Sequence, residues 1–267
     1  MTTIKGTALV TGASSGIGAV YADRLAARGH DLLLVARNRD RLTAQADRLR
    51  ALHGVNVRIH LADLGAPDDL LGVEAVIAED ETISVLVNNA GFGGSGTLAQ
   101  SDVDEMERMI AVNVTAVMRL SHAAALAFAA RGRGTIINIA SIVAIGPEIL
   151  NGVYGGTKAF VLALSRSLMK ELEGTGVAVQ VVLPGATGTE FWDIAGLPHA
   201  NLPAEWVMTP ETLVDAALAD LDTGLFASLP SLQDEGQWQA WEATREAMLP
   251  NLSSRTAAPR YAVKPAA

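Results

Sequence analysis

The stretch Thr-Ala-Leu-Val-Thr-Gly-Ala-Ser-Ser-Gly-Ile-Gly, residues 7–18, decides the fold. Residues 7–10 form an apolar run that is typical of a buried strand, and apolar residues recur at helical spacing after Gly16. A strand, a glycine-rich turn and a helix let the backbone approach a pyrophosphate and offer it free helix N–H groups. The spacing G-x-x-x-G-x-G, without a following G-K-[ST], argues against a nucleoside-triphosphate loop. From this stretch alone, a purely structural turn stays open as the alternative.

Beyond this unit the chain alternates short apolar runs with amphipathic ones. Further strands are predicted at 32–36, 55–61, 83–87, 135–140, 177–183 and 225–229. Further helices are predicted at 40–52, 67–79, 102–129, 152–173, 209–221 and 233–249. Such alternation builds a parallel sheet through right-handed crossovers. We therefore predict an α/β fold with a doubly wound parallel sheet of about seven strands flanked by helices. It forms a single domain, residues 1–250, followed by a tail at 251–267.

Composition excludes several classes of function. The chain has 267 residues, a net charge of −9 and 49% hydrophobic residues, so nucleic acid and anionic membranes are not expected as partners. It has no cysteine, and its five histidines form no H-x-x-x-H or H-E-x-x-H pair, so we expect no metal site. The N-terminus lacks an apolar signal region, and no run of about 18 apolar residues occurs elsewhere. We expect a cytoplasmic protein.

The end of the second strand carries information about a nucleotide. A site for a free ribose 2'-hydroxyl usually places Asp or Glu there, whereas this chain has Ala36 followed by Arg37. A guanidinium suits a 2'-phosphate, so NADP(H) is the predicted cofactor, with Ser14 and Asn38 adding neutral hydrogen bonds. The alternative is that Arg37 is a solvated surface arginine.

Polar and turn residues follow several predicted strands. Asp63-Leu64, Asn88-Asn89-Ala90-Gly91, Ser141 and Pro184-Gly185 each stand at the end of one strand. Because parallel strands end at the same edge of a sheet, these residues are expected where open α/β sheets bind ligands. Asp63 and Asn88–Gly91 also suit ordinary turns, and both interpretations stay open.

Tyr154 and Lys158 form the predicted reaction centre. In a helix over 152–173 they stand at i and i+4, one turn apart on one face. A tyrosine acid needs its pKa lowered by about 2 to 3 units to work near neutral pH, and a nearby ammonium favours the phenolate. Asn113 is also a candidate, because its polar amide lies in an apolar helical pattern; a satisfied buried amide is the alternative.

Residues 186–208 lack a regular period. They include Phe191, Trp192 and Trp206, although only 4% of the chain is aromatic. We predict a substrate lid over an apolar pocket that Phe92 also lines. An ordinary surface connection is the alternative.

Taken together, these motifs resemble those of the short-chain dehydrogenase/reductase family, which has a Rossmann fold and uses NAD(P). The resemblance covers residues 4–191. It rests on Thr11-Gly12-Ala13-Ser14-Ser15-Gly16-Ile17-Gly18, Asp63, Asn88-Asn89-Ala90-Gly91, Asn113, Ser141, Tyr154 with Lys158, and Pro184-Gly185. Many NADP-preferring members have a basic residue at the position of Ser15, so the cofactor prediction rests on Arg37.

The resemblance implies roles for the individual residues. Tyr154 would be the acid/base, Ser141 a hydrogen-bond donor to the substrate oxygen, Lys158 the group that tunes Tyr154 and binds ribose, and Asn113 the holder of a relay water. Asp63 would meet the adenine, and Thr187 and Thr189 the nicotinamide. The implied cofactor-binding set is Gly12, Ser14, Ser15, Gly16, Ile17, Gly18, Arg37, Asp63, Leu64, Asn89, Ala90, Gly91, Tyr154, Lys158, Pro184, Gly185, Thr187 and Thr189.

The implied activity is reversible, NADP(H)-dependent reduction of a ketone or aldehyde, with an apolar small-molecule substrate. Three other interpretations are weighed: a 3-oxoacyl-(acyl-carrier-protein) reductase, a nucleotide-sugar epimerase or dehydratase, and a non-catalytic NADP(H)-binding sensor or scaffold. The sensor has no chemical use for Ser141, Tyr154, Lys158 and Asn113 together. The apolar helices at 102–129 and 152–173 resemble the family's subunit contacts, so a homodimer or homotetramer is expected.

Overall fold

A parallel sheet of seven strands organises the structure, a computed structural model that describes residues 5–94, 96–150, 152–194, 196 and 201–261. The strand order is β3-β2-β1-β4-β5-β6-β7, and every paired strand is parallel. The strands are β1 Thr7–Thr11, β2 Asp31–Ala36, β3 Val57–Leu61, β4 Ile83–Asn88, β5 Gly134–Ile139, β6 Val177–Val182 and β7 Ala227–Ser228. The predicted doubly wound sheet is confirmed.

Helices cover both faces of this sheet. They are α1 Gly16–Ala27, α2 Arg39–His53, α3 Pro67–Glu79, α4 Val103–Ile110, α5 Val117–Arg131, α6 Gly152–Glu171, α7 Phe191–Ile194, α8 Pro210–Asp222 and α9 Glu235–Met248. Successive strand residues point to opposite faces, so Leu32 and Leu34 pack on α1, α2 and α8. Leu33 and Val35 pack on α3, α5 and α6. Burial on both faces explains why the strands are apolar throughout.

Side-chain caps fix where several helices begin. Asn38 accepts a hydrogen bond from the Arg41 N–H at 3.0 Å, and Asp102 caps α4 from its own side chain. Thr209 accepts from the Thr212 N–H at 3.1 Å, and Pro210 occupies the first helical position. These caps satisfy N–H groups that a helix start leaves unpaired.

The helix predicted over 102–129 contains a wider turn. Residues Ala111–Ala116 form a π-helical turn between α4 and α5. Such a turn adds a residue within a helix and often marks a functional site. Asn113 lies inside it, and the local sequence has no glycine or proline to announce it.

By length and composition, one helical stretch in the described part of the chain, Val103–Arg131, could cross a membrane, with a mean hydropathy of 1.4. Within its most apolar window, 39% of the residues are buried in the protein. Leu120, Ala124 and Phe128 belong to the core under the sheet. A helix in the core of a soluble protein meets the same criteria of length and composition, so these criteria do not distinguish it from a membrane-spanning helix.

The last strand is shorter than predicted. β7 has only two residues, because the Leu225 N–H bonds to Asp220 O at 3.0 Å and so completes the end of α8. The chain divides into two compact units, Met1–Ser231 and Leu232–Ala267, and α9 lies in the second. Within that unit the rings of Trp238 and Trp241 stack with centroids 4.9 Å apart. The functional division into 1–250 and 251–267 stays a prediction.

Candidate active site

Four neighbouring strands end at one edge of the sheet, three of them in a polar side chain. β1, β4, β5 and β6 run in the same direction, so Thr11, Asn88, Ser141 and Pro184 come together at their carboxyl ends. Thr11, Asn88 and Ser141 are all buried. This edge is the candidate active site.

Asn89 holds the glycine-rich turn between β1 and α1. Its Nδ2 donates to Thr11 O at 2.9 Å and to Gly12 O at 3.3 Å. A Cβ on Gly18 would lie 2.4 Å from this Nδ2, so only glycine fits there. Ser15 is the N-cap of α1, and its side chain makes no capping hydrogen bond. The first helical N–H groups are therefore available to an anion.

Thr11 ties the same turn to the segment after β4. Its Oγ1 accepts hydrogen bonds from the N–H groups of Asn89 and Ala90, each at 3.0 Å. It donates to Val87 O at 3.2 Å. The predicted cofactor residues Asn89 and Ala90 are therefore fixed against the turn.

Ser141, Tyr154 and Lys158 form one buried cluster. They expose 8%, 6% and 6% of their surfaces, so the predicted reaction centre is closed to bulk water. Lys158 Nζ lies 5.8 Å from the centroid of the Tyr154 ring and donates to Ile139 O at 2.9 Å. Ser141 shares a side-chain hydrogen bond with Tyr154. Its Oγ also accepts from the Val143 N–H at 3.3 Å.

Burial controls the ionisation of this cluster. Loss of hydration raises the pKa of Tyr154 well above its usual value, and the Ser141 hydrogen bond only partly offsets this. Burial lowers the pKa of Lys158 to about 8. Burial therefore opposes the predicted lowering of the Tyr154 pKa by Lys158, because it disfavours the charged forms of both groups.

Asn113 is linked to Tyr154 through Thr157. Asn113 Nδ2 donates to Phe92 O at 2.9 Å and to Thr157 Oγ1 at 3.1 Å, while Thr157 Oγ1 donates to Tyr154 O at 2.8 Å. A Cβ on Gly91 would lie 2.9 Å from Asn113 Oδ1 and 3.6 Å from Lys158 Nζ. The amide oxygen and the ammonium therefore converge on Gly91. Asn113 is both a satisfied buried amide and a member of the cluster.

The segment after β6 returns to the glycine-rich turn. Thr187 is buried, and Thr189 Cγ2 would lie 3.1 Å from a Cβ on Gly16. Glu190 binds the Arg41 guanidinium at the start of α2, with 2.6 Å between Oε2 and the nearer nitrogen. Arg37, four residues before Arg41 in the chain, is exposed.

Two backbone hydrogen bonds join the two ends of the predicted lid, 186–208. Gly188 N donates to Met208 O, and Met208 N donates to Ala186 O, each at 2.9 Å. Residues 195 and 197–200 of this segment lie outside the described residues. Trp206 exposes 66% of its surface, so it does not shape the pocket as predicted, because a loop sequence gives no direction to its side chains.

Asp63, at the end of β3, is held by its neighbours. Its N–H donates to Asp69 Oδ2 at 2.7 Å, and its Oδ1 accepts from the Gly65 N–H at 3.0 Å. Leu64 is buried beside it. On the β6 side, Pro184 O accepts from the Ile142 N–H at 3.0 Å, and Gly185 follows directly.

Apolar side chains surround the Tyr154 ring. The cluster consists of Met109, Val143 and Tyr154, with Phe92, Leu150, Val153 and Phe191 packed against it. In the described part of the chain, no group of His, Cys, Asp and Glu is arranged to hold a metal ion. The candidate site therefore combines a phenol, an amine and hydrogen-bond donors with apolar neighbours.

A family comparison agrees with this geometry. The sequence profile described as short chain dehydrogenase matches residues 6–195. The chain belongs to the short-chain dehydrogenase family.

Two solved structures, the first of them a short-chain dehydrogenase, resemble this chain over nearly its whole length. One, from Sphingobium yanoikuyae in complex with NADPH, is 46% identical, with a TM-score of 0.92, covering 95% of this chain and 98% of that one. The other, a bulky-bulky ketone specific alcohol dehydrogenase from Comamonas testosteroni, is 42% identical, with a TM-score of 0.88, covering 96% and 98%. A 7beta-hydroxysteroid dehydrogenase from Collinsella aerofaciens is 31% identical over 80% of this chain and 81% of its own.

Sequence reasoning gave no role to two residues that hold this candidate site together, Thr11 and Thr157. Each bridges segments that are far apart in the chain: Thr11 joins β1 to Asn89, and Thr157 joins Asn113 to α6. Thr157 stands directly before Lys158, and that position in the Tyr-Gly-Gly-Thr-Lys stretch was the one available signal.

Proposed function

We propose that this protein catalyses reversible, NADP(H)-dependent reduction of apolar ketones to alcohols. One observation carries the proposal: Ser141, Tyr154 and Lys158 form a buried cluster at the same sheet edge as the glycine-rich turn. Asn113 is joined to that cluster through Thr157. A protein that only holds a nucleotide has no chemical need for these groups in one closed pocket.

Tyr154 and Ser141 would act on the carbonyl oxygen. NADPH, when bound, supplies the hydride that reaches the carbonyl carbon. Ser141 Oγ and Tyr154 Oη would donate hydrogen bonds to the substrate oxygen, and Tyr154 Oη would release its proton as the alkoxide develops. General acid catalysis of this kind contributes roughly 100- to 10,000-fold in rate. The apolar walls strengthen both hydrogen bonds by excluding water.

Lys158 and Asn113 would return the proton to Tyr154. The Lys158 ammonium favours the phenolate that forms after the transfer, because its Nζ lies near the phenol ring. With a pKa of about 8, Lys158 can itself release and take up a proton near neutral pH. Asn113 Oδ1 faces the same point beside Gly91, where a water could link the ammonium to solvent.

The residues present fit an NADP(H) molecule. The first N–H groups of α1 and the glycine-rich turn would hold the pyrophosphate, through Gly12, Ser14, Ser15, Gly16, Ile17 and Gly18. Asp63 and Leu64 would meet the adenine, and Asn89, Ala90 and Gly91 would pack beside the nucleoside. Lys158, with Tyr154, would hold the nicotinamide ribose, and Pro184, Gly185, Thr187 and Thr189 the nicotinamide.

Arg37 carries the preference for NADP(H) over NAD(H). It follows Ala36, which offers no carboxylate to a ribose 2'-hydroxyl, and its guanidinium is exposed at the strand end. Arg41 is already engaged by Glu190. The NADPH complex of the Sphingobium relative supports the same cofactor.

The apolar cluster around Tyr154 indicates the substrate class. It would accept alkyl or aryl ketones and exclude strongly hydrated substrates such as sugars. Two relatives support this choice, since one is specific for bulky-bulky ketones and another acts on hydroxysteroids. We therefore place large apolar ketones first among the candidate substrates.

The direct test is a panel of ketones and their alcohols with the purified protein. Consumption of NADPH and of NADH is followed by absorbance for methyl ketones, ketones with two bulky groups, a keto-steroid and a sugar. We expect turnover of apolar ketones with NADPH. Tight NADPH binding without turnover of any carbonyl compound would instead support a sensor or scaffold.

A further inference from the structure

Phe191 lies against the ring of Tyr154. The two ring centroids are 5.6 Å apart and the planes are tilted by 45°. A Cβ on Gly93 would lie 2.7 Å from Phe191 Cζ and 3.3 Å from Tyr154 Cδ2, next to both rings. The missing side chain at Gly93 therefore makes the room in which Phe191 packs on Tyr154.

Both neighbours of Phe191 in the chain are anchored. Glu190 binds the Arg41 guanidinium. Trp192 Nε1 donates to Thr187 O at 2.8 Å, and the Trp192 ring meets Phe191 edge-on with centroids 5.7 Å apart. Phe191 is thus held in place from both sides.

Phe191 differs in origin from the other apolar residues around Tyr154. Met109 comes from α4, Val143 from the turn after β5, and Phe92 from the segment that follows β4. Phe191 reaches the cluster from the segment after β6, at the start of α7. Within this cluster Phe191 is therefore contributed by the predicted lid segment, and the other residues come from segments before β6.

We propose that Phe191 is a specificity-determining residue, whose ring bounds the space beside the Tyr154 phenol and limits the bulk of the ketone substituent placed there. This inference rests on the proposed function. A ring that lies against Tyr154 and beside Gly93 limits the size of the substituent at that point, so the bulk of a large apolar ketone would lie elsewhere in the site. The same ring keeps water from the phenol.

Phe191→Ala tests the limit on size. It should raise the ratio of kcat/KM for ketones with two bulky groups to that for methyl ketones by about tenfold, because a deleted side chain opens the pocket on one side. Phe191→Leu, which keeps an apolar side chain and protects folding, should shift the ratio in the same direction by less. An equal loss for both substrates in both variants would overturn the proposal.

Gly93→Ala provides an independent test through coupling. The added Cβ would collide with Phe191, so it should lower kcat/KM about ten- to hundredfold by displacing the ring against Tyr154. In the Phe191→Ala background the same change should cost clearly less, because only the contact with Tyr154 Cδ2 remains. Gly72→Ala is the control, since a Cβ there meets only His60 Nε2 at 3.8 Å. A Gly93→Ala loss of equal size in both backgrounds would contradict the proposed contact.

The pH profile of alcohol oxidation separates this role from general disturbance of the fold. Burial raises the pKa of Tyr154, and Lys158 is a titratable group beside it. Removing the ring of Phe191 should hydrate Tyr154 and lower its pKa, so the rate of alcohol oxidation should begin to rise at a lower pH. A rise at the same pH as in wild type would count against the proposal. If the wild type reduces no ketone, the proposed function fails; if it does but ratio and coupling stay unchanged, only the role of Phe191 fails.

Discussion

At the scale of residues, burial decides how Tyr154 and Lys158 ionise. Both side chains are almost fully covered, and each is pushed toward its neutral form. The spacing of the two residues predicted their proximity, but it could not predict how strongly the surrounding apolar residues cover them. How far each side chain is pushed toward its neutral form is therefore a property of the packed site rather than of the motif.

The buried Lys158 predicts a pH-dependent stability. Its pKa is about 8 in the folded protein against 10.5 in the unfolded chain. The unfolded chain therefore binds more protons in this window, and stability rises with pH. Between pH 8 and pH 10 the free energy of unfolding should gain on the order of 2 kcal/mol from Lys158. In Lys158→Met this gain should be missing when urea unfolding is followed across the window.

Lys170→Met is the matched control for that experiment, because Lys170 is an exposed lysine on the same helix. It should keep the wild-type slope. Parallel curves for wild type and Lys158→Met would show that Lys158 is not held in a dry environment.

The end of β2 predicts the cofactor preference. Wild type should prefer NADPH over NADH in kcat/KM by roughly 10- to 100-fold, through charge-assisted hydrogen bonds from Arg37. Ala36→Asp combined with Arg37→Ile should reverse the preference, chiefly through KM, because the 2'-phosphate lies far from the hydride. Arg41→Met should change it much less, since Glu190 already engages Arg41. Equal use of both cofactors by wild type would reduce Arg37 to a solvated surface arginine.

Among single residues, the ones with distinctive chemistry could be predicted. A tyrosine and a lysine one helical turn apart, or an amide in an apolar stripe, stand out in a sequence. Thr11 and Thr157 do not stand out, because the role of each depends on a hydrogen bond to a residue that is distant in the chain. The exposed position of Trp206 was missed because a loop sequence does not determine where its side chains point.

At the scale of elements, the π-helical turn Ala111–Ala116 links the helix to the site. It carries Asn113, whose Nδ2 reaches Thr157 on α6 at 3.1 Å. Strands and helices could be predicted because each repeats its own period over many residues. The wide turn could not, since one added residue leaves the apolar pattern on either side intact.

The hydrogen bond between Asn113 in the π-helical turn and Thr157 on α6 predicts an effect on stability and on turnover rate. Thr157→Val keeps the shape of the side chain but leaves a buried amide hydrogen of Asn113 without its acceptor. The free energy of unfolding should fall by about 1–3 kcal/mol, and kcat should also fall, because Asn113 is no longer fixed in position by Thr157. Thr157→Ser keeps the hydroxyl and should lose less in both urea unfolding and turnover. If Val and Ser behave alike, the hydroxyl does not hold Asn113.

At the scale of the whole molecule, exposed apolar side chains predict self-association. Val103, Ile110, Met118 and Leu126 expose between 43% and 70% of their surfaces along the Val103–Arg131 stretch. Residues of this kind on one long helix mark a contact surface. A second copy of the chain is the predicted partner, while a cytoplasmic location and the absence of nucleic-acid and membrane partners stay predictions from composition.

Light scattering checks the assembly. We expect a mass of about two or four times 27.9 kDa. Met118→Glu combined with Leu126→Glu should lower this mass toward the monomer, because burying two carboxylates at an apolar contact is costly. A wild-type monomer at micromolar concentration would rule out the predicted homodimer and homotetramer.

The measurement that bears most directly on the proposed chemistry compares Tyr154→Phe with wild type in two assays: reduction of an apolar ketone and binding of NADPH. The phenol is needed to give a proton to the carbonyl oxygen but not to hold the dinucleotide. We predict that kcat falls by at least about 100-fold while NADPH affinity stays nearly unchanged. A variant that keeps more than about a tenth of the wild-type kcat would show that Tyr154 is not the acid.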